Sequence, residues 1–257
     1  MLAFQDIQYN CILEGMTSIS ALIHGHENGT NNRPIYAILI DQTKKRNKYR
    51  EIGFLKYHAS LLGFQILFAD QDVIDTLAQG NTHGGIIALC GDRTYKDTLD
   101  VESNGFWVYT EGIEDPFNLG FALRSLYAAG VDGVLLSPKN RMCVPGIVAK
   151  SSAGTSELMD IRVSEPEAAI RLFKQKGYQI VCAGIRDSQS IYDADLQKPV
   201  LLIVGGEKRG ISRAVLDMAD QIVRIDYGRA FNGSLSAASA ATVIAFEVHR
   251  QNSVKKS

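Results

Sequence analysis

Between Arg33 and Asp92 apolar and polar positions alternate in blocks: YAILI (36–40), a charged amphipathic stretch to Gly63, FQILF (64–68), VIDTLAQG (73–80) and IIALC (86–90). Short β-branched runs bounded by Gly, Asp and Asn predict strands, and the 3.6-residue periodicity between them predicts helices. This segment reads as a small α/β unit. Residues 93–105 are polar and aperiodic, which predicts a linker. Alternation then resumes: strand FWVYT (106–110), a helix over 118–129, Gly130 as its stop, and strand GVLLS (133–137). Ser164 and Glu167 have the spacing of a capping box ahead of AAIRLF, and Gly177 closes that helix before strand YQIVCAG (178–184). Strand VLLIVG (200–205), a short helix near Ser212, strand QIVRIDY (221–227) and an apolar helix over 236–250 complete the pattern. Continuous Val/Ile/Leu strands are buried on both faces, so the expected fold class is α/β with a parallel sheet covered by helices. The expected domains are residues 1–98 and 105–257.

Composition narrows the function classes. The 257 residues are 46% hydrophobic and 21% charged, with 27 basic and 28 acidic side chains and a formal charge of −1. That balance excludes a histone-like polycation, so a nucleic-acid contact would need a local patch. Cys11, Cys90, Cys143 and Cys182 are scattered, without a C-x-x-C pair or histidine spacing for zinc; no metal site is expected, and the thiols read as buried and reduced. The amino terminus lacks a basic and apolar leader pattern, and no run of about 18 apolar residues occurs. A cytoplasmic protein without a membrane contact is expected.

Ligands of open parallel sheets bind beyond the carboxyl ends of the strands, and three loops there carry candidate chemistry. In the first, Asp115-Pro116 opens a helix with Asn118, Gly120 and Arg124 in its first turns, suited to an anion. A plain helix start, with Asn as cap and Arg as surface charge, fits the same residues. In the second, VGGEKRGIS (204–212), Gly205, Gly206 and Gly210 allow close backbone approach around Glu207. Neither the Walker A pattern nor G-x-G-x-x-G is present, which disfavours ATP or NAD held in those ways. In the third, YGRAFNGSLSAAS, small residues crowd a helix start, with Asn232 and Ser234 as capping or ligand groups.

Together these loops resemble the three motifs of the SpoU (TrmH-like) family of RNA 2′-O-ribose methyltransferases in the SPOUT superfamily. Asp115-Pro116-x-Asn118-x-Gly120-x-x-x-Arg124 fits the first, and Val204-Gly205-Gly206-Glu207-x-x-Gly210-Ile-Ser212 the second. The third departs: Ile225 precedes Asp226-Tyr227 where the family has Pro-Met, Ser234-Leu235 are kept, and Ser236 and Ala238 replace Asn and Ser. Thr82-His83-Gly84-Gly85 also departs from the His-Gln-Gly often found in the family's first domain. The resemblance implies a carboxyl-terminal trefoil knot, a small ribosomal-protein-like α/β domain ahead of it that binds RNA, and a homodimer. It implies S-adenosyl-L-methionine as cofactor, held largely by backbone around Gly205, Gly206, Gly210, Ile225 and Leu235, with Ala183 a further candidate. It implies a catalytic role for Arg124, oriented by Asn118 and Glu207, with Ser234 at the substrate or cofactor.

The densest basic stretch, Lys44-Lys45-Arg46-Asn47-Lys48-Tyr49-Arg50, with Arg33 and Lys56 nearby, is the expected RNA-binding surface. A solvated helix face would look the same. rRNA is the expected substrate and tRNA a second possibility. The alternative is an RNA-binding protein of the same fold whose altered third motif has lost or weakened methyl transfer.

Overall fold

Two sheets organise the protein, and a computed structural model describes residues 6–95, 101–138, 144–207 and 209–253. Met1–Thr94 with Val144–Leu158 form one unit, and Tyr95–Cys143 with Met159–Ser257 the other. The expected split at the linker assigned Val144–Leu158 to the carboxyl-terminal domain; it groups instead with the amino-terminal one. Part of that linker, 96–100, and Cys143 lie outside the described residues.

In the first unit the strands β1 (Cys11–Glu14), β2 (Ile35–Asp41), β3 (Gln65–Ala69) and β4 (Ile86–Cys90) pair in the order β1-β4-β2-β3. The β2/β3 pair is parallel and the other two are antiparallel. Alternation along β2 sends Ile38 and Ile40 into one apolar cluster and Ala37 and Leu39 into another, so both faces are covered. The covering helices are α1 (Gly15–Glu27), α2 (Tyr49–Leu62) and α3 (Gln71–Leu77), with α5 (Pro145–Ser151) packed on β1 and α6 (Thr155–Leu158) on α1. His83 lies in the turn before β4, its Nδ1 accepting from the Gly85 N–H at 3.1 Å and its Nε2 3.1 Å from Asp75.

Arg33 is not a surface residue. It is fully buried, and its Nε donates to Glu157 Oε2 at 3.1 Å while Nη1 donates to the Gly91 carbonyl at 3.0 Å. Asn31 Nδ2 donates to the same carboxylate at 2.7 Å. Its expected RNA contact is thus corrected, because a phosphate cannot reach a guanidinium closed off by its own partner. Burial opposes ionisation of Glu157, but the charges of Arg33 and Arg93, with hydrogen bonds from Arg33 and Asn31, outweigh it and hold the carboxyl below its ordinary value. With its folded value depressed, Glu157 contributes its full stability above about pH 4.3 and loses it as pH falls through that value and below.

The second unit contains β5 (Phe106–Glu111), β6 (Gly133–Leu136), β7 (Asp160–Val163), β8 (Gln179–Ala183), β9 (Gln189–Ser190), β10 (Val200–Gly205) and β11 (Gln221–Arg224). All pair in parallel, in the order β7-β6-β5-β10-β8-β11-β9. The expected α/β class with a parallel sheet is what the structure has. Helices α4 (Pro116–Ala128), α7 (Pro166–Gln175), α8 (Arg213–Leu216) and α9 (Ala237–Ser253) complete the unit, with α4 against α9. Gly130 and Gly177 end α4 and α7 at φ of 77° and 85°.

Three local expectations change. Pro166 sets the start of α7, leaving Glu165 as its cap without a side-chain hydrogen bond, so the Ser164/Glu167 box does not form. Asp115, not Asn118, caps α4 by accepting from the Asn118 N–H at 2.8 Å. Strand β11 stops at Arg224, whose Nε turns to Asp226 at 2.8 Å. Cys11, Cys90 and Cys182 are buried and free, and burial pushes the Cys11 thiol up to about 11. Among the described residues no helix is long and apolar enough to cross a membrane.

Replacing Arg33 by Ala would strand the buried Glu157 carboxylate, and a stability loss of about 3–5 kcal/mol is expected in urea titrations at neutral pH. RNA affinity of the fraction that remains folded should be unchanged; weakened RNA binding without a stability loss would contradict the burial of this pair.

Candidate functional site

The first two sequence loops meet because β5 and β10 are parallel neighbours, with Glu111 opposite Gly205 at their carboxyl ends. The Gly206 N–H donates to the Glu111 carbonyl at 2.6 Å, and the Ser212 N–H reaches Glu111 Oε2 at 3.3 Å. The second loop folds back on itself through Gly210 N–H to the Gly206 carbonyl at 2.9 Å. Its glycines are demanded by this closeness. A Cβ on Gly206 would lie 2.0 Å from the Gly112 carbonyl oxygen, and one on Gly205 would lie 2.3 Å from the Gly210 carbonyl carbon. Gly210 itself sits at φ 63°.

The turn carries Glu207 to the start of α4, where Asn118 Nδ2 donates to Glu207 Oε1 at 3.1 Å. Asp115, Asn118 and Glu207 share a small cleft with Gly112. Glu207 also lines a larger cavity of about 580 Å³ formed by the loops that leave β8, β10 and β11. Ala183, Gly205, Gly206, Gly210, Ile225, Ser234 and Leu235 all line it, so the structure gathers every expected cofactor position around one space. Its walls combine aliphatic side chains such as Ile211, Ile222 and Ile244 with charged Glu207, Arg186 and Arg224. That volume falls within the usual few hundred to a thousand Å³ of small-molecule sites.

The third loop is rebuilt around an aromatic pair. Tyr227 and Phe231 both line the cavity with ring centroids 5.8 Å apart, and Tyr227 Oη accepts from the Leu235 N–H at 3.1 Å. Ser236 caps α9 by accepting from the Ser239 N–H at 3.2 Å. Sequence reasoning did not single out Phe231, Arg186 or Arg224, since nothing local in a polar loop or a strand end distinguishes a cavity wall. Two aromatic residues in a glycine-rich loop were the available signal.

Arg124 is the exception among the expected catalytic residues. It is exposed, lines neither the cavity nor the small cleft, and makes no hydrogen bond or ion pair among the described residues. Six residues of helix turn its side chain about 120° away from Asn118. It shares its face instead with Phe117 and Phe121, 51% and 50% exposed. Asn118 and Glu207 therefore hold each other rather than orienting Arg124.

Residues 105–246 match the SpoU rRNA Methylase family over more than half of the chain. The chain belongs to the SpoU family. A Staphylococcus haemolyticus protein assigned to the TrmH family of tRNA/rRNA methyltransferases is 32% identical over 186 residues, covering 69% of this chain and 74% of that protein. The 23S rRNA (guanosine-2′-O-)-methyltransferase RlmB of Shewanella oneidensis is 29% identical over 201 residues, covering 75% and 81%. Among solved structures, an AdoMet-bound rRNA methyltransferase from Sinorhizobium meliloti superposes with a TM-score of 0.79 at 21% identity, over 93% of this SpoU chain and 87% of that one, a likeness of fold.

Gly206→Ala should force the first and second loops apart and lower stability by about 1–3 kcal/mol or more in thermal melts. Gly228→Ala, which meets nothing within 4 Å, should leave the melting temperature unchanged; equal effects would contradict the loop packing described.

Proposed function

We propose that this SpoU protein transfers a methyl group from S-adenosyl-L-methionine to a ribose 2′-hydroxyl of RNA, with rRNA as the substrate. The observation that carries this reading is the convergence of the expected cofactor positions with Glu207 and Ser234 on one cavity. Its aliphatic walls suit an adenosine, and its charged rim of Glu207, Arg186 and Arg224 suits a group bearing both signs of charge. When bound there, the cofactor supplies a methyl already activated on a sulfonium, so the protein's task is to place the hydroxyl in line and assist removal of its proton. Glu207, held by Asn118, and Ser234 orient the ribose beside the cavity. The carboxyl-terminal segment is knotted, and the protein works in the cytoplasm, where buried thiols stay reduced.

A guanidinium with a pKa above about 12 is a poor base, so Arg124 clamps an RNA phosphate and steadies the developing alkoxide, the proton passing to RNA phosphate or water. Because Arg124 projects from the exposed Phe117/Phe121 face of α4, it serves the site of a partner copy in a homodimer built on α4 and α9, where Phe246 is also exposed. One arginine per subunit then completes the neighbour's cavity.

The functional test is a tritiated-methyl assay on total rRNA and tRNA followed by alkaline hydrolysis. Label in alkali-resistant dinucleotides of rRNA supports the reading. Cofactor binding by calorimetry without any transfer would instead favour an RNA-binding protein whose altered third motif has lost activity. Arg124→Ala should keep cofactor affinity and lose transfer by about a hundredfold or more; near-normal turnover would remove its role. Phe121→Asp should convert a dimer to a monomer in sedimentation and abolish transfer, whereas an active monomer would contradict the shared site.

A further inference from the structure

In the amino-terminal unit, α2 turns Ile52, Leu55 and His58 inward. Its opposite face carries Tyr49, Gly53 and Tyr57 at i, i+4 and i+8, one stripe along the helix. Both tyrosines are largely exposed, at 65% and 63%. Exposed rings flanking a glycine in mid-helix are costly on both counts: the rings hydrate poorly, and glycine weakens a helix relative to alanine. The fold gives no reason for that glycine. Its φ is not positive, and no atom lies within 4 Å of where a Cβ would stand. What it leaves is a bare strip of backbone between two rings about 12 Å apart along the axis.

Charge surrounds this strip unevenly. Lys44 lies 3.7 Å from Asp41 and Lys48 3.6 Å from Glu51, while Lys45 sits over the Phe68 ring at 4.8 Å. Exposed Arg46, Arg50 and Lys56 have no carboxylate partner among the described residues. Arg50 also fixes Tyr49, its Nε donating to the phenol oxygen at 3.0 Å with the guanidinium 5.7 Å from the ring centroid. Cations without a carboxylate partner beside exposed aromatic rings complement a chain of phosphates carrying unstacked bases, and a regular duplex would offer no base to the rings.

We propose that Tyr49, Gly53 and Tyr57 form a stacking site for unpaired bases of single-stranded RNA, with Arg46, Arg50 and Lys56 taking the flanking phosphates. The site rests on the reading that RNA is the substrate, and it selects looped or unpaired segments. Bases stack on the tyrosine rings, and the glycine strip lets the sugar-phosphate chain pass close to the helix.

The test uses the full chain and a short single-stranded oligoribonucleotide containing 2-aminopurine, against the same strand annealed into a duplex. Wild-type protein should bind the single strand more tightly and quench the 2-aminopurine. Tyr49→Ala with Tyr57→Ala should weaken binding by about tenfold or more and remove the quench, while Tyr49→Phe with Tyr57→Phe keeps both. Gly53→Leu should hold or raise the melting temperature yet bind about tenfold more weakly, so that the loss is not one of folding. Equal affinity for the duplex, or an unchanged quench in the alanine pair, would overturn the site. Calorimetry with S-adenosylmethionine on the same preparations separates the two readings: absent cofactor binding in wild type overturns the methyltransferase, and intact cofactor binding with unaltered RNA affinity in the alanine pair overturns the stacking site alone.

Discussion

The parallel pairing of β5 with β10 is the constraint on which the candidate site depends. It sets Glu111 beside Gly205 and so joins two loops far apart in the chain. The β10/β8 and β8/β11 pairs extend the same edge, so the ends of β8, β10 and β11 open onto one cavity. Because β5 and β10 are buried Val/Ile/Leu/aromatic runs, their register is held, and a slip by one residue would take Gly206 away from Gly112 and put a side chain where there is no room for one. The apolar core thus fixes the geometry of a polar turn.

Much of this was legible along the chain because the parallel strands are continuous apolar runs and their loops carry glycine, proline and acidic residues in a fixed order. FWVYT and VLLIVG are strands within a residue of expectation, and Gly130 and Gly177 stop helices as expected. What stayed hidden depends on distant partners. Arg33 reads as one more surface cation until Glu157, 124 residues away, is seen to neutralise it in the core. Val144–Leu158 reads as part of the carboxyl-terminal domain until its contacts with β1 and α1 are seen. Arg124 stands in the right motif, yet the helical turn points it away from Asn118 and Glu207.

The altered third motif is a substitution of means rather than a loss of the cavity wall. Tyr227 supplies a ring beside Phe231 and a hydroxyl that satisfies the Leu235 N–H, while Ser236 still caps the last helix. In the amino-terminal unit a parallel division appears among the cations. Lys44 and Lys48 lie near carboxylates and Arg33 is buried, whereas Arg46, Arg50 and Lys56 are exposed without a carboxylate partner among the described residues, so net charge alone conceals how the cations are disposed.

The most direct test of the account is a crystal structure of the protein grown with S-adenosylmethionine. Density for the cofactor in the cavity lined by Ala183, Gly205, Ile225 and Leu235 is the predicted result. A cofactor bound elsewhere, or an empty cavity at saturating concentration, would contradict it.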